Sequence, residues 1–213
     1  MSANIAAFAT ILFSMILVNN YVLVQFLGIC PFLGVSKKLD SSVGMGVAVI
    51  VVMVIATAVT FPLQIFLLDA NDLGYMQTII FILVIAVLVQ LIEITLKRYI
   101  PALYNALGVY LPLITTNCCV LGVAILAVQD YSADVTARGF GFAYGEALIC
   151  AAGAGIGFLL AMVLFCGVRQ RVEEAEPPEC FKGLPITLVA AAVTSLSFMG
   201  FGGVVENIIA ALL

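Results

Sequence analysis

The chain has 213 residues, of which 64% are hydrophobic and 9% are charged, and its mean hydropathy is +1.26. Soluble domains are about 45–50% apolar and about 25% charged, so this composition excludes a water-soluble enzyme. The net charge of −4 gives no basic surface for nucleic acid, and the lack of histidine excludes His-ligated haem, most zinc sites and Ser–His or Cys–His catalytic pairs.

Six regions of the sequence are apolar and long enough to cross a membrane, which takes about 20 residues per helix. They are residues 5–35, 43–68, 75–96, 102–128, 140–168 and 184–213. Regions one and four are longer or more interrupted than a single helix. The longest connection, residues 169–183, is too short for a separate soluble domain of about 50 residues. We therefore predict one all-α polytopic membrane domain, with lipid around it.

The basic residues are distributed unequally between the two sides of the predicted spans. Seven of the eight follow regions one, three and five, and only Arg138 lies on the other side; the seven are Lys37, Lys38, Lys97, Arg98, Arg169, Arg171 and Lys182. Basic loops favour the cytoplasmic side, so we predict that both termini lie outside the cytoplasmic membrane of a prokaryote. No basic residue precedes Lys37, so the start lacks the charged region of a signal peptide, and the first region is expected to stay in the mature protein.

Regions one and four share a motif. Cys30-Pro-Phe-Leu-Gly-Val35 and Cys118-Cys-Val-Leu-Gly-Val123 both read C-x-x-L-G-V, three spans apart. An odd number of crossings reverses the side of entry, so a three-span repeat is inverted. We predict a first repeat over residues 1–98 and a second over residues 99–213, with broken half-helices in spans one and four.

Residues that weaken a helix surround both cysteines of the repeated motif. Gly28 and Pro31 flank Cys30, and a segment with proline, threonine and asparagine, residues 112–117, precedes Cys118. Broken backbone within a membrane is tolerated where it is buried or lines a site. Two matched thiols without histidine suggest a soft-metal site, and both zinc and [2Fe–2S] sites usually take four protein ligands. A second, similar subunit would supply the other two.

These motifs carry a family resemblance. Residues 18–38 closely resemble the A-type membrane subunits of Rnf complexes, which are ion-translocating ferredoxin:NAD oxidoreductases. Residues 111–118 resemble the second signature of that family, and residues 198–203 resemble its C-terminal pattern. The resemblance covers essentially the whole chain. The E-type subunit of the sodium-pumping NADH:quinone reductase (Nqr) is homologous and is kept as an alternative, although Asn19, Asn20 and the run after Cys30 favour the Rnf type.

The resemblance implies a six-span subunit that pairs with a homologous E-type subunit of opposite orientation. The two would share an intramembrane [2Fe–2S] cluster, to which this chain would contribute Cys30 and Cys118. The family motif normally has a single cysteine after Asn117, whereas this chain has Cys118 and Cys119. The repeat register favours Cys118, and Cys119 stays the alternative. B-, C-, D- and G-type subunits would complete the complex, and this chain carries no covalent-flavin signature.

Several polar residues within the spans have two interpretations. Thr116, Asn117 and Asn20 could donate hydrogen bonds to a nearby cluster or only satisfy broken backbone. Glu93 in the third span and Glu146 in the fifth are candidates for an ion pathway, because a carboxylate in lipid is costly. Glu93 could equally pair with a lysine four residues later on the same helix.

Two classes of function compete for this sequence. The first is an electron-carrying subunit of a redox-driven ion pump, and the second is an inverted-repeat secondary transporter whose broken helices bind a solute. The matched thiols favour the first, because a transporter site would use charged or carbonyl groups. The glycines at 141, 145, 153 and 157 lack the spacing of a dinucleotide-binding loop and predict close helix packing instead.

Overall fold

The computed structural model describes residues 2–35, 39–69, 74–99, 113–114, 116–175, 178 and 181–200, which are nearly all helical. Within these ranges the α-helices are α1 (Ser2–Phe13), α2 (Ile29–Val35), α3 (Leu39–Leu63), α4 (Gln77–Tyr99), α5 (Cys118–Arg138), α6 (Phe140–Glu174) and α7 (Leu184–Met199). A helix satisfies its backbone hydrogen bonds within one segment, as an apolar chain in lipid requires. The predicted all-helical class is confirmed.

Within the described ranges, three helical segments are long and apolar enough to cross a membrane. They are Leu39–Leu68, Gly74–Thr95 and Phe140–Val172, in predicted regions two, three and five. Shorter apolar helices lie in regions one, four and six, namely Phe8–Val18, Cys118–Ser132 and Leu184–Met199. Residues 102–112 and 115 of region four, and residues 201–213 of region six, lie outside the described residues. The count of six spans and the inverted order of the repeats stay predictions.

Two helices end later than the sequence predicted. Region four was expected to end at residue 128 and region five at residue 168, but α5 ends at Arg138 and α6 at Glu174. Hydropathy detects where apolar residues stop, whereas helical hydrogen bonds continue through a polar last turn. Arg169 therefore lies within α6 and not in the connecting segment that hydropathy predicts for it.

The chain leaves helical conformation in the middle of region one. After α1 the backbone continues as a π-helical turn over Ser14–Val18, and residues 19–28 form turns before α2 begins. Phe26 and Gly28 have positive φ angles of 57° and 80°, a conformation that ends helical continuity. Pro31 lies in the first turn of α2. Backbone N–H groups in a first turn have no acceptor within the helix, so proline is tolerated there.

Helix α6 is the centre of the packing. It contacts α3 most extensively and also packs against α5 and α1. Small residues allow this approach: a Cβ atom added at Gly155 would lie 3.0 Å from the Cα atom of Ile50, and one added at Gly157 would lie 3.0 Å from the carbonyl oxygen of Met15. The predicted packing role therefore holds for Gly157 and also for Gly153, where an added Cβ would lie 3.2 Å from Cβ of Met15. At Gly141, by contrast, no described atom lies within 4 Å of an added Cβ. One hydrophobic core includes residues of both predicted repeats.

Candidate metal centre

The structure brings together the two segments that carry the repeated cysteines. The backbone N–H of Gly28, two residues before Cys30, donates a hydrogen bond to Sγ of Cys118 at 2.9 Å. A Cβ atom added at Gly28 would lie 3.0 Å from Cβ of Cys119 and 3.1 Å from Oδ1 of Asn117. The turn before α2 therefore rests directly on the first turn of α5, although 90 residues separate the bonded pair.

The two cysteines of the repeat differ in exposure from the other described cysteines. Cys30 and Cys118 are exposed, whereas Cys119, Cys150 and Cys166 are buried; Cys180 lies outside the described residues. Among the described residues, no group of three or more His, Cys, Asp or Glu side chains could hold a metal ion by itself. The two exposed thiols are thus candidate ligands on the surface of the chain, and a metal ion there would need further ligands.

Asn117 explains why Cys118 faces outward and Cys119 inward. Asn117 is the N-cap of α5, and its Oδ1 accepts a hydrogen bond from the backbone N–H of Cys119 at 3.0 Å. Adjacent residues on a helix point about 100° apart, so burial of Cys119 at 0% exposure turns Cys118 toward the surface. Thr116 lies in the preceding turn with an exposed side chain. Nδ2 of Asn117 is buried without a hydrogen-bond partner in the described part of the chain.

Asn20 holds the turn segment of region one against α6. Its Nδ2 donates to the carbonyl oxygens of Ile16 at 3.2 Å and Gly157 at 2.9 Å. Its Oδ1 accepts from the backbone N–H groups of Val22 and Leu23. Of the two roles considered for Asn20, the structure therefore shows the satisfaction of broken backbone.

Helix α2 is held from its other end by two residues that sequence reasoning did not assign to the site. Arg169 of α6 is only 8% exposed, and its Nη1 donates to the carbonyl oxygen of Leu33 at 2.6 Å. The last carbonyls of a helix lack partners within it, and a positive charge there is favourable. One turn earlier on α6, Phe165 stacks on Phe32 with ring centroids 4.2 Å apart. Phe165 and Arg169 are four residues apart and therefore lie on one face of α6. This spacing is the feature of the sequence that could have predicted that both contact the same neighbouring segment.

The structure places both candidate ion-pathway carboxylates on helices other than α2 and α5. Glu93 is half-buried on α4, and Glu146 is 3% exposed on α6. One turn after Glu146, the thiol of Cys150 is buried near Tyr21 and Tyr131. Cys150 thus lies between the turn segment of region one and α5. An ion pathway through either glutamate stays a prediction.

Fold and site together define an integral membrane protein that presents two thiols from adjoining, non-consecutive segments. The chain belongs to the Rnf-Nqr subunit family of membrane proteins, whose sequence model matches residues 8–205. The family resemblance found in the sequence is confirmed.

Curated relatives are similar to the chain over nearly its whole length. The A-type subunit of the Na(+)-translocating ferredoxin:NAD(+) oxidoreductase complex of Acetobacterium woodii is 51% identical over 91% of this chain and 95% of the relative. The A-type subunits of the ion-translocating oxidoreductase complexes of Syntrophotalea carbinolica and Shewanella oneidensis are 48% and 46% identical, each over 92% of this chain and 97% of the relative.

Proposed function

We propose that the chain is a membrane subunit of an Rnf-type ion-translocating ferredoxin:NAD oxidoreductase, in which it holds half of an intramembrane [2Fe–2S] cluster. The observation that carries this proposal is the contact between the segments of Cys30 and Cys118, joined by the Gly28 to Cys118 hydrogen bond. The names of the relatives support the oxidoreductase complex. They give no support to the secondary transporter.

The residues present fit such a cluster in number, chemistry and exposure. Iron in [2Fe–2S] clusters is bound by cysteine thiolates, and the described part of the chain presents two outward-facing thiols, Cys30 and Cys118. Cys118 and not Cys119 is the proposed ligand, because Cys119 is enclosed by the turn at Gly28. When bound, the cluster supplies a one-electron carrier. Cys30 and Cys118 would hold it, and Asn117, Arg169 and the Gly28 turn would fix the backbone of the two ligands.

A homologous E-type subunit is the proposed source of the other two thiolates. Helix α4 has an exposed apolar surface, on which Ile79, Leu83 and Leu91 are each more than half exposed. Such a surface fits contact with a protein partner or with lipid. B-, C-, D- and G-type subunits would carry the soluble redox chemistry, since the chain has no segment long enough for it. In this complex the chain is a part of an enzyme without a complete active site of its own.

Iron analysis tests the proposed shared site. We expect the co-purified pair of this chain and its E-type partner to contain about two iron and two sulfide atoms per pair and to give a reducible EPR signal. The chain purified alone should contain almost none, because its two thiolates leave half of the ligand positions empty. Stoichiometric iron in the solitary chain, or an iron-free pair from cells that make clusters normally, would contradict the proposal.

The proposed orientation places both termini outside, from the distribution of Lys and Arg. An Ala3→Cys variant of the complex should react on whole cells with a membrane-impermeant thiol reagent, above the background of the unmodified complex. A Lys38→Cys variant should be protected until the cells are opened. Protection at position 3 together with reaction at position 38 would reverse the orientation.

A further inference from the structure

We propose that the backbone N–H of Gly28 positions Cys118 and raises the reduction potential of the cluster that it binds. This inference rests on the proposed function and adds a residue that acts on the ligand from the opposite repeat. The geometry is direct, since the Gly28 nitrogen lies 2.9 Å from Sγ of Cys118. Hydrogen bonds to ligand sulfur are one of the means by which a protein sets the potential of an iron–sulfur cluster.

The direction of the effect follows from charge. Reduction adds negative charge that is shared by the ligand sulfurs, so an N–H group aimed at sulfur stabilises the reduced state more than the oxidised one. Loss of this donor should therefore lower the midpoint potential. Because the donor comes from the turn before α2 and the sulfur from α5, the bond also fixes the segment of one ligand relative to the other.

The local backbone shows why this donor requires glycine. Gly28 has a φ of +80°, which L side chains rarely adopt. A Cβ atom there would meet Cβ of Cys119 and Cε2 of Phe158, each at 3.0 Å. Alanine at this position must therefore move the turn, and with it the N–H group, away from Cys118.

The proposed donor is tested by a redox titration of the complex followed by EPR. Gly28→Ala should shift the midpoint potential of the cluster to lower values. Gly34→Ala should leave it unchanged, because none of the described atoms lies within 4 Å of a Cβ at Gly34, four residues after Cys30. Gly122→Ala is the control for packing alone, since its Cβ would press on Leu27 at 2.7 Å without touching the Gly28 N–H. Equal potentials in all three variants and the parent complex would overturn the inference.

A second measurement covers the case in which Gly28→Ala does not assemble. In the unmutated complex grown on ¹⁵N-glycine, pulsed EPR of the reduced cluster should detect a coupled glycine nitrogen, and absence of that coupling would overturn the inference. In an assembled Gly28→Ala complex the ¹⁵N coupling should disappear, because position 28 no longer carries the labelled nitrogen, whereas in Gly34→Ala it should persist. If the unmutated complex gives no cluster signal that depends on Cys30 and Cys118, the proposed function itself fails. A signal that depends on them but shows no glycine coupling removes only the role of Gly28.

Discussion

Replacing Cys118 with alanine should abolish the cluster EPR signal and electron transfer from ferredoxin to NAD in the complex. The expected loss is complete because a thiolate ligand has no substitute at this position: the neighbouring sulfur of Cys119 is 0% exposed and lies behind the Gly28 turn. Cys30→Ala should have the same effect, since it removes the other exposed thiol of the repeated motif. Iron content, EPR of the reduced complex and ferredoxin:NAD activity measure it.

Cys119→Ala is the matched control, because it changes the same residue type one position along α5. It removes one buried sulfur, a change for which a cost of about 1 kcal/mol is typical, and it should retain iron, signal and activity. Cys166→Ala is a more distant control. Cys150→Ala is less suitable, because its buried thiol lies near Tyr21 and Tyr131. Loss of the signal in Cys119→Ala with a normal signal in Cys118→Ala would show that Cys119 is the ligand. The proposed alignment of the two repeats would then be wrong by one residue.

The candidate site could be found from the sequence because its two halves repeat. C-x-x-L-G-V occurs at Cys30 and Cys118, and a repeated motif on interrupted segments indicates residues related by symmetry. The structure adds the physical contact between these segments. The choice between Cys118 and Cys119 depended in the sequence on register alone, whereas in the structure the burial of Cys119 supports the same choice.

The residues that hold the site in place could not be found in this way. Gly28 acts through its backbone N–H group, which every residue except proline possesses, and its bond spans 90 residues. Arg169 was grouped with the cytoplasmic charges because hydropathy ends region five at residue 168, yet α6 continues and buries its guanidinium beside Leu33. Hydropathy reports the preference of a side chain for lipid. It contains no information about which backbone carbonyl, far along the chain, a charged group will reach.

Asn20→Ala should prevent stable assembly of the complex, because the buried Asn20 amide bonds backbone groups of the turn segment and of α6. Its amide serves four of them, two N–H groups and two carbonyls, at 0% exposure. A buried polar group that loses its partner costs about 1–3 kcal/mol, so the summed loss is a large part of the stability of an ordinary domain, about 5–15 kcal/mol. Size-exclusion chromatography of the detergent-solubilised complex after a temperature series measures the effect.

Asn19→Ala provides the comparison at the adjacent position. Asn19 is exposed, and within the described part of the chain its Nδ2 reaches only Oγ of Ser14, at 3.5 Å. The variant should therefore assemble with a melting temperature close to that of the parent complex. Asn20→Asp tests the donor and the acceptor of the amide separately. Aspartate keeps an acceptor for the N–H groups of Val22 and Leu23 but places a carboxylate oxygen against the carbonyl of Gly157, where the amide donates at 2.9 Å.

We therefore expect Asn20→Asp to be as unstable as Asn20→Ala, since a buried negative charge facing a carbonyl costs more than the acceptor contributes. An Asn20→Asp complex as stable as the parent would show that the bond to Gly157 contributes little and that the turn is held by its local acceptor alone. Equal stability of Asn20→Ala and Asn19→Ala would contradict the whole account of this segment. In that case the turn before Cys30 would depend on its contacts with α5 and α7, where Ser195 donates to the carbonyl of Leu23, and not on the asparagine that bonds α6.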